Sequence, residues 1–138
     1  MKELLKDIIS EVLEEMFFMV PEGLEGVGLQ ARGDLLAEIV LRGERSIRLM
    51  FLLSKATAEQ MAQNLLPGEE TTPQLVKDVL KEFANMVGGN LIKYLGADWR
   101  LGLPEVYEGI EALGLLGSRQ PIMEFDVDGE ILSVYLEG

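Results

Sequence analysis

Three side chains carry the chemistry open to this chain: Asp78, Glu82 and Asn85, spaced four and three residues apart. At about 100° per residue they fall on one side of an α-helix, within an arc of roughly 60°. Val76, Val79, Leu80, Phe83, Val87, Leu91 and Tyr94 gather on the other side, so Thr72–Leu95 reads as a helix with one buried face and one polar face. A neutral amide such as Asn85 takes up no proton at neutral pH. It does donate and accept hydrogen bonds, and so can hold a water in line with an electrophile. Positioning and charge stabilisation dominate phosphoryl transfer, so that role suffices there. Glu82 offers a fixed negative charge to dock a cation on a partner. On spacing alone, the same three residues also describe an ordinary solvated helix face.

Composition narrows the rest. The chain has 138 residues, 48% of them hydrophobic, which suits one domain with a single core. Lys and Arg number 12 against 24 Asp and Glu, a formal charge of −12 that argues against neutralising a nucleic-acid backbone. Cysteine and histidine are both absent, which removes disulfides, a thiolate nucleophile and the usual general base. Chemistry must therefore use carboxylates, amides or hydroxyls. Charges interrupt the apolar spacing of Met1–Val20, unlike a signal peptide, and no other run approaches a membrane span. A cytoplasmic protein with no membrane insertion is expected.

The elements that must position the polar face follow from periodicity and punctuation. Leu4, Leu5, Ile8, Ile9, Val12, Leu13, Met16 and Phe17 recur at helical spacing until Pro21 and Gly23. Met16, Phe17, Phe18 and Met19 are expected to end that helix in the core, the alternative being that an exposed share of them serves an interface. Strand-like runs follow at about Val27–Ala31, Leu35–Leu41 and Ser46–Leu53, with Gly33-Asp34 and Gly43-Glu44 as turns. Arg32-Gly33-Asp34 is accordingly read as turn chemistry rather than an adhesion motif. Leu35–Leu41, apolar except at Glu38, suits a strand covered on both faces or an interior strand of a sheet.

Thr57-Ala58-Glu59-Gln60 reads as a capping box opening a short helix that Pro67-Gly68 ends. Thr71 or Thr72 caps the motif helix, with Pro73 in its first turn. Gly88-Gly89 weakens that helix by about 1 kcal/mol per glycine, and Asn90 falls toward its buried side. The last third holds the run Trp99–Leu103, the glycine-punctuated stretch Gly109–Gly117, and the runs Ile122–Val127 and Glu130–Leu136. An Asp128-Gly129 hairpin turn joins these two runs.

Asp7, Glu11 and Glu14 precede Asp78, Glu82 and Asn85 at one constant offset, and each helix is followed by strand-like runs. Two pseudo-repeat halves, about 1–70 and 71–138, would then build one joint core. The expected fold class is α+β: duplicated helix-plus-strands halves, with two long helices packed on a largely antiparallel sheet. Glu11, Glu14 and Glu15 lack histidine support and are read as a solvated face, not a metal site.

The segment Asp78-x-x-x-Glu82-x-x-Asn85, continuing through Gly89-Asn90 and later Leu103-Pro104, resembles the signature of the CheC/CheX family of chemotaxis phosphatases. The local string Glu82-Phe83-Ala84-Asn85-Met86-Val87-Gly88-Gly89-Asn90 is a close match. The opening helix, the strand run ending Leu52-Leu53-Ser54, the short helix to Leu66 and the half-repeat also fit the family's duplicated layout. The resemblance implies removal of the phosphoryl group from the aspartyl phosphate of a CheY-like receiver domain. Under it, Asn85 orients the attacking water, Glu82 pairs with the partner's lysine, and Asp78 supports the helix or touches the partner. It implies no cofactor held by this chain, since the receiver supplies the acyl phosphate and the Mg²⁺. Glu14 stands in the first half where Asn85 stands in the second, so one working site is expected, as in single-site CheX. The alternative is a non-catalytic module that binds a receiver or motor component through the same helix. Strand edges could also pair two copies into a homodimer.

Overall fold

The computed structural model describes residues 1–25 and 33–138. In chain order it contains α1 (Lys2–Phe17), β1 (Pro21–Gly23), β2 (Leu35–Arg42), β3 (Ser46–Leu53), α2 (Lys55–Leu65) and α3 (Pro73–Leu95). Then come β4 (Arg100–Leu101), β5 (Glu105–Glu108), α4 (Gly109–Leu116), β6 (Met123–Val127) and β7 (Glu130–Glu137). Among the described residues the strands form one seven-stranded sheet in the order β1-β6-β7-β3-β2-β4, with β5 also paired to β2. All the pairings among the described residues are antiparallel. The α+β class with two long helices on an antiparallel sheet is what the sequence leads one to expect. The expected strand at Val27–Ala31, with Arg32, lies outside the described residues.

Alternation along β2 explains its two-sided burial. Leu35, Ala37, Ile39 and Leu41 join the main core with α1, α2 and α3, while Leu36 joins a smaller cluster with Met50, Leu52 and Tyr135 under Ala112 and Leu116 of α4. Glu38 shares the α4 side and is buried, its Oε2 lying 3.3 Å from Nε of Arg48. The turn after β2 depends on bare backbone at Gly43. A Cβ there would strike the ring of Trp99, which is itself buried. At the other hairpin, Asp128 and Gly129 both take positive φ, 53° and 88°, as a type I′ turn requires.

Several local expectations are corrected. The capping residue of α2 is Ser54, whose Oγ accepts the Thr57 amide at 3.1 Å, so Thr57 lies inside the first turn rather than at its cap. The helix starts as soon as β3 ends. Pro21–Gly23 do not merely close the first helix but pair with Val127, Asp126 and Phe125 as β1. At the end of α1, Phe17 and Met19 are buried while Met16 and Phe18 are exposed, with Phe18 left-handed at φ 55°. The stretch Gly109–Gly117 forms α4, which covers part of the second sheet face. Tyr94, expected on the apolar face, is 67% exposed in the last turn of α3.

Candidate functional site

The polar line on α3 is aimed by what lies behind it. Phe83, fully buried between Glu82 and Asn85, meets Phe17 of α1 edge-on at 5.8 Å and Phe51 of β3 at 5.0 Å. Ala84 and Val87 are buried too. Because Phe83 is anchored to both a helix and the sheet, α3 cannot rotate without breaking that aromatic cluster, and Glu82 and Asn85 are held outward. Thr72 caps the helix start, its Oγ1 accepting the Leu75 amide at 3.1 Å, and Pro73 occupies the first turn.

Asp78 and Glu82 are exposed and Asn85 is half-buried. The Asp78 carboxylate accepts the Gln74 side-chain amide at 2.9 Å, so part of its hydrogen-bonding capacity is already used within the helix. Among the described residues, Glu82 forms no ion pair and the Asn85 carboxamide makes no hydrogen bond. Of the two lysines beside this face, Lys77 is engaged with Glu108 at 3.2 Å, while Lys81, next to Glu82, forms no ion pair among the described residues. The face therefore presents one uncommitted carboxylate and one uncommitted amide, three residues apart on a rigid helix. The structure brings Asp78, Glu82 and Asn85 onto this single face.

Two glycines on α3 play different parts. A Cβ at Gly88 would come within 2.8 Å of Leu101 Cδ1, so bare backbone there lets β4 run close beside the helix turn that carries Asn85. A Cβ at Gly89 would meet nothing within 4 Å. Asn90, half-buried, finds its partner within the helix: its Nδ2 donates to the Met86 carbonyl at 2.8 Å, while its Oδ1 accepts Lys93 Nζ at 3.3 Å. In the sequence the glycine pair reads only as a weakening of the helix, because the passage of β4 beside Gly88 leaves no local signal.

The first-half counterparts Asp7, Glu11 and Glu14 are exposed on α1, which packs beside α3. Glu11 lines a shallow groove of about 210 Å³ between the two helices, with Val12, Glu15, Met16, Met86 and Asn90. Among the described residues no group of three acidic side chains is placed to hold a metal ion, and no helix is long and apolar enough to cross a membrane. A cavity of about 530 Å³ opens between the starts of α2 and α3, lined by Asp34, Lys55, Glu59, Lys77 and Glu108 among others. There the Asp34 carboxylate accepts the Lys55 backbone amide at 3.1 Å and Lys77 pairs with Glu108, while the Lys55 ammonium and Glu59 form no ion pair among the described residues. Neither Glu82 nor Asn85 lines it.

Comparison with known proteins gives a family and a fold. A family model described as chemotaxis phosphatase CheX matches residues 35–125, a span that includes the whole polar face of α3. No protein of curated function matches. Among solved structures, a chemotaxis protein CheX from Desulfovibrio desulfuricans superposes with a TM-score of 0.77 at 17% identity, covering 98% of this chain and 96% of that one. A chemotaxis protein CheX from Vibrio vulnificus gives 0.71 at 20% identity, covering 96% and 93%. A complex of CheX with CheY, BeF3 and Mg²⁺ from Borrelia burgdorferi gives 0.77 at 22% identity, covering 98% and 95%.

Proposed function

The chain belongs to the chemotaxis phosphatase CheX family, and from that membership we propose that it accelerates hydrolysis of the aspartyl phosphate on a CheY-like receiver domain. The observation that carries the reading is the Asn85 carboxamide, uncommitted among the described residues and fixed from behind by Phe83. Docked at the receiver's acyl phosphate, the amide oxygen accepts a hydrogen bond from a water and holds that water in line with phosphorus. The water oxygen bonds to phosphorus, the bond from phosphorus to the aspartyl oxygen breaks, and free carboxylate and inorganic phosphate leave. Orienting one water is a sufficient contribution, because a hundredfold acceleration needs only about 2.7 kcal/mol.

Glu82 supplies a charge rather than chemistry. Unpaired and exposed among the described residues, it docks to the lysine of the receiver's active site. That contact is worth more once docking excludes water than the roughly 0–1 kcal/mol of an exposed pair. Asp78 stands one turn before Glu82 and supports the helix start or touches the receiver's rim. Magnesium belongs to the receiver's own acidic pocket. The relative from Borrelia burgdorferi was solved with CheY, BeF3 and Mg²⁺ together. In the first half Glu14 occupies the place of Asn85, and its charge would repel both hydroxide and phosphoryl oxygens, which leaves one working site.

The test is phosphate release from a phosphorylated receiver, with and without this protein, beside the affinity for the same receiver in its BeF3 form. Release well above the receiver's own rate is expected. Tight binding with no change in release would select a docking module and end the phosphatase reading.

A further inference from the structure

A glycine in a helix interior loosens it, and the residue is kept where something needs the space. At Gly88 the need lies inside the molecule, since Leu101 Cδ1 fills the place of a side chain, 2.8 Å from where a Cβ would sit. Gly89 has no such neighbour and no positive φ. Neither packing nor backbone conformation within the described chain calls for it. Open space alone assigns nothing, because Gly114 in α4 is equally free. Position singles Gly89 out. It lies four residues after Asn85 and seven after Glu82, on the same helix face and in the middle of their arc.

We infer that Gly89 is the point of closest approach for the receiver's backbone, a gap in the side-chain layer that lets α3 sit close enough for Asn85 to reach the acyl phosphate. The inference rests on the phosphatase reading and adds a residue that sets which surface can dock. Asparagine is short, and a water held by its amide stands only one hydrogen bond beyond it. Any side chain one turn along, about 6 Å up the axis, props the partner away from the helix and withdraws the amide from the phosphorus. Glu82 is longer and tolerates a wider gap, so the close approach is needed on the Asn85 side. That is where Gly89 lies.

Gly89→Ala tests this against Gly114→Ala. Both substitutions replace an open helical glycine, and both should raise the melting temperature by about 3 °C. Gly89→Ala should weaken binding to the BeF3-treated receiver about tenfold, the size of effect one overpacked methyl produces in a close contact. It should lower the apparent second-order rate of phosphate release by a similar factor, while Gly114→Ala leaves both at the unsubstituted level. Unchanged affinity for Gly89→Ala beside an active unsubstituted protein overturns the role of Gly89 and spares the phosphatase reading. An unsubstituted protein that neither binds the receiver nor speeds release overturns both.

Discussion

At the scale of single residues, the proposed function divides between two side chains, Glu82 and Asn85, the labour that one catalytic acid–base group performs elsewhere. The chain has no histidine or cysteine, and Asn85 cannot move a proton, so under the proposed function the rate comes from geometry. Glu82→Gln keeps the shape of the docking side chain and removes its charge. Receiver affinity is expected to fall roughly fivefold, and the remaining affinity to depend less on salt, because a screened charge pair has been lost. Titrating a BeF3-treated receiver at two ionic strengths measures both effects. The polar face was legible in sequence because helical periodicity assigns Asp78, Glu82 and Asn85 to one side without any tertiary information. The commitments of their neighbours were not. That Asp78 is held by Gln74, that Lys77 is paired to Glu108 and that Asn90 bonds back to Met86 depend on rotamers and on distant strands.

At the scale of elements, the position of α3 rests on the aromatic contact behind it. Phe83→Ala removes the ring that meets Phe17 and Phe51 and should cost about 3–5 kcal/mol by the cavity it leaves. Denaturant unfolding measures that cost, and a loss below about 1 kcal/mol would mean that other contacts fix the helix. Long periodic segments such as α1 and α3 announced themselves, and so did the Asp128-Gly129 turn, because each signal is local. Elements made by remote pairing were hidden. Nothing in Pro21-Glu22-Gly23 says that β6 lies alongside, and α4 is short, with Gly109 and Gly114 within it and Gly117 at its end. The capping error at α2 has a similar origin. Thr57-x-x-Gln60 has the form of a capping box, yet Ser54 arrives first as β3 ends, and its hydroxyl takes the Thr57 amide.

At the scale of the whole molecule, one sheet carries helices on both faces, and the α4 side holds polar groups in its interior. Burial raises the Tyr135 phenol above its ordinary value of 10.0, with the nearby Glu124 carboxylate adding to the shift. Burial also raises Tyr107, helped by Glu38, Glu105 and Glu111 against an opposing contribution from Arg48. A raised phenol pKa means that the unfolded chain loses its proton first. The stabilising contribution is complete below about pH 10 and disappears as pH rises through the folded value. Tyr135→Phe should therefore flatten the loss of stability above pH 10, and unfolding curves at stepped alkaline pH would detect it. The two-layer plan of long helices on an antiparallel sheet was visible from the run of elements, and the second covered face was foreshadowed by the near-continuous apolar Leu35–Leu41. What covers that face was not, because α4 carries so little local signal. Whether Asn85 orients the attacking water, as proposed, is read from the rate of phosphate release at saturating receiver for Asn85→Ala. A fall of about a hundredfold is expected, with affinity for the BeF3-treated receiver retained. A rate equal to that of the unsubstituted protein would contradict that role.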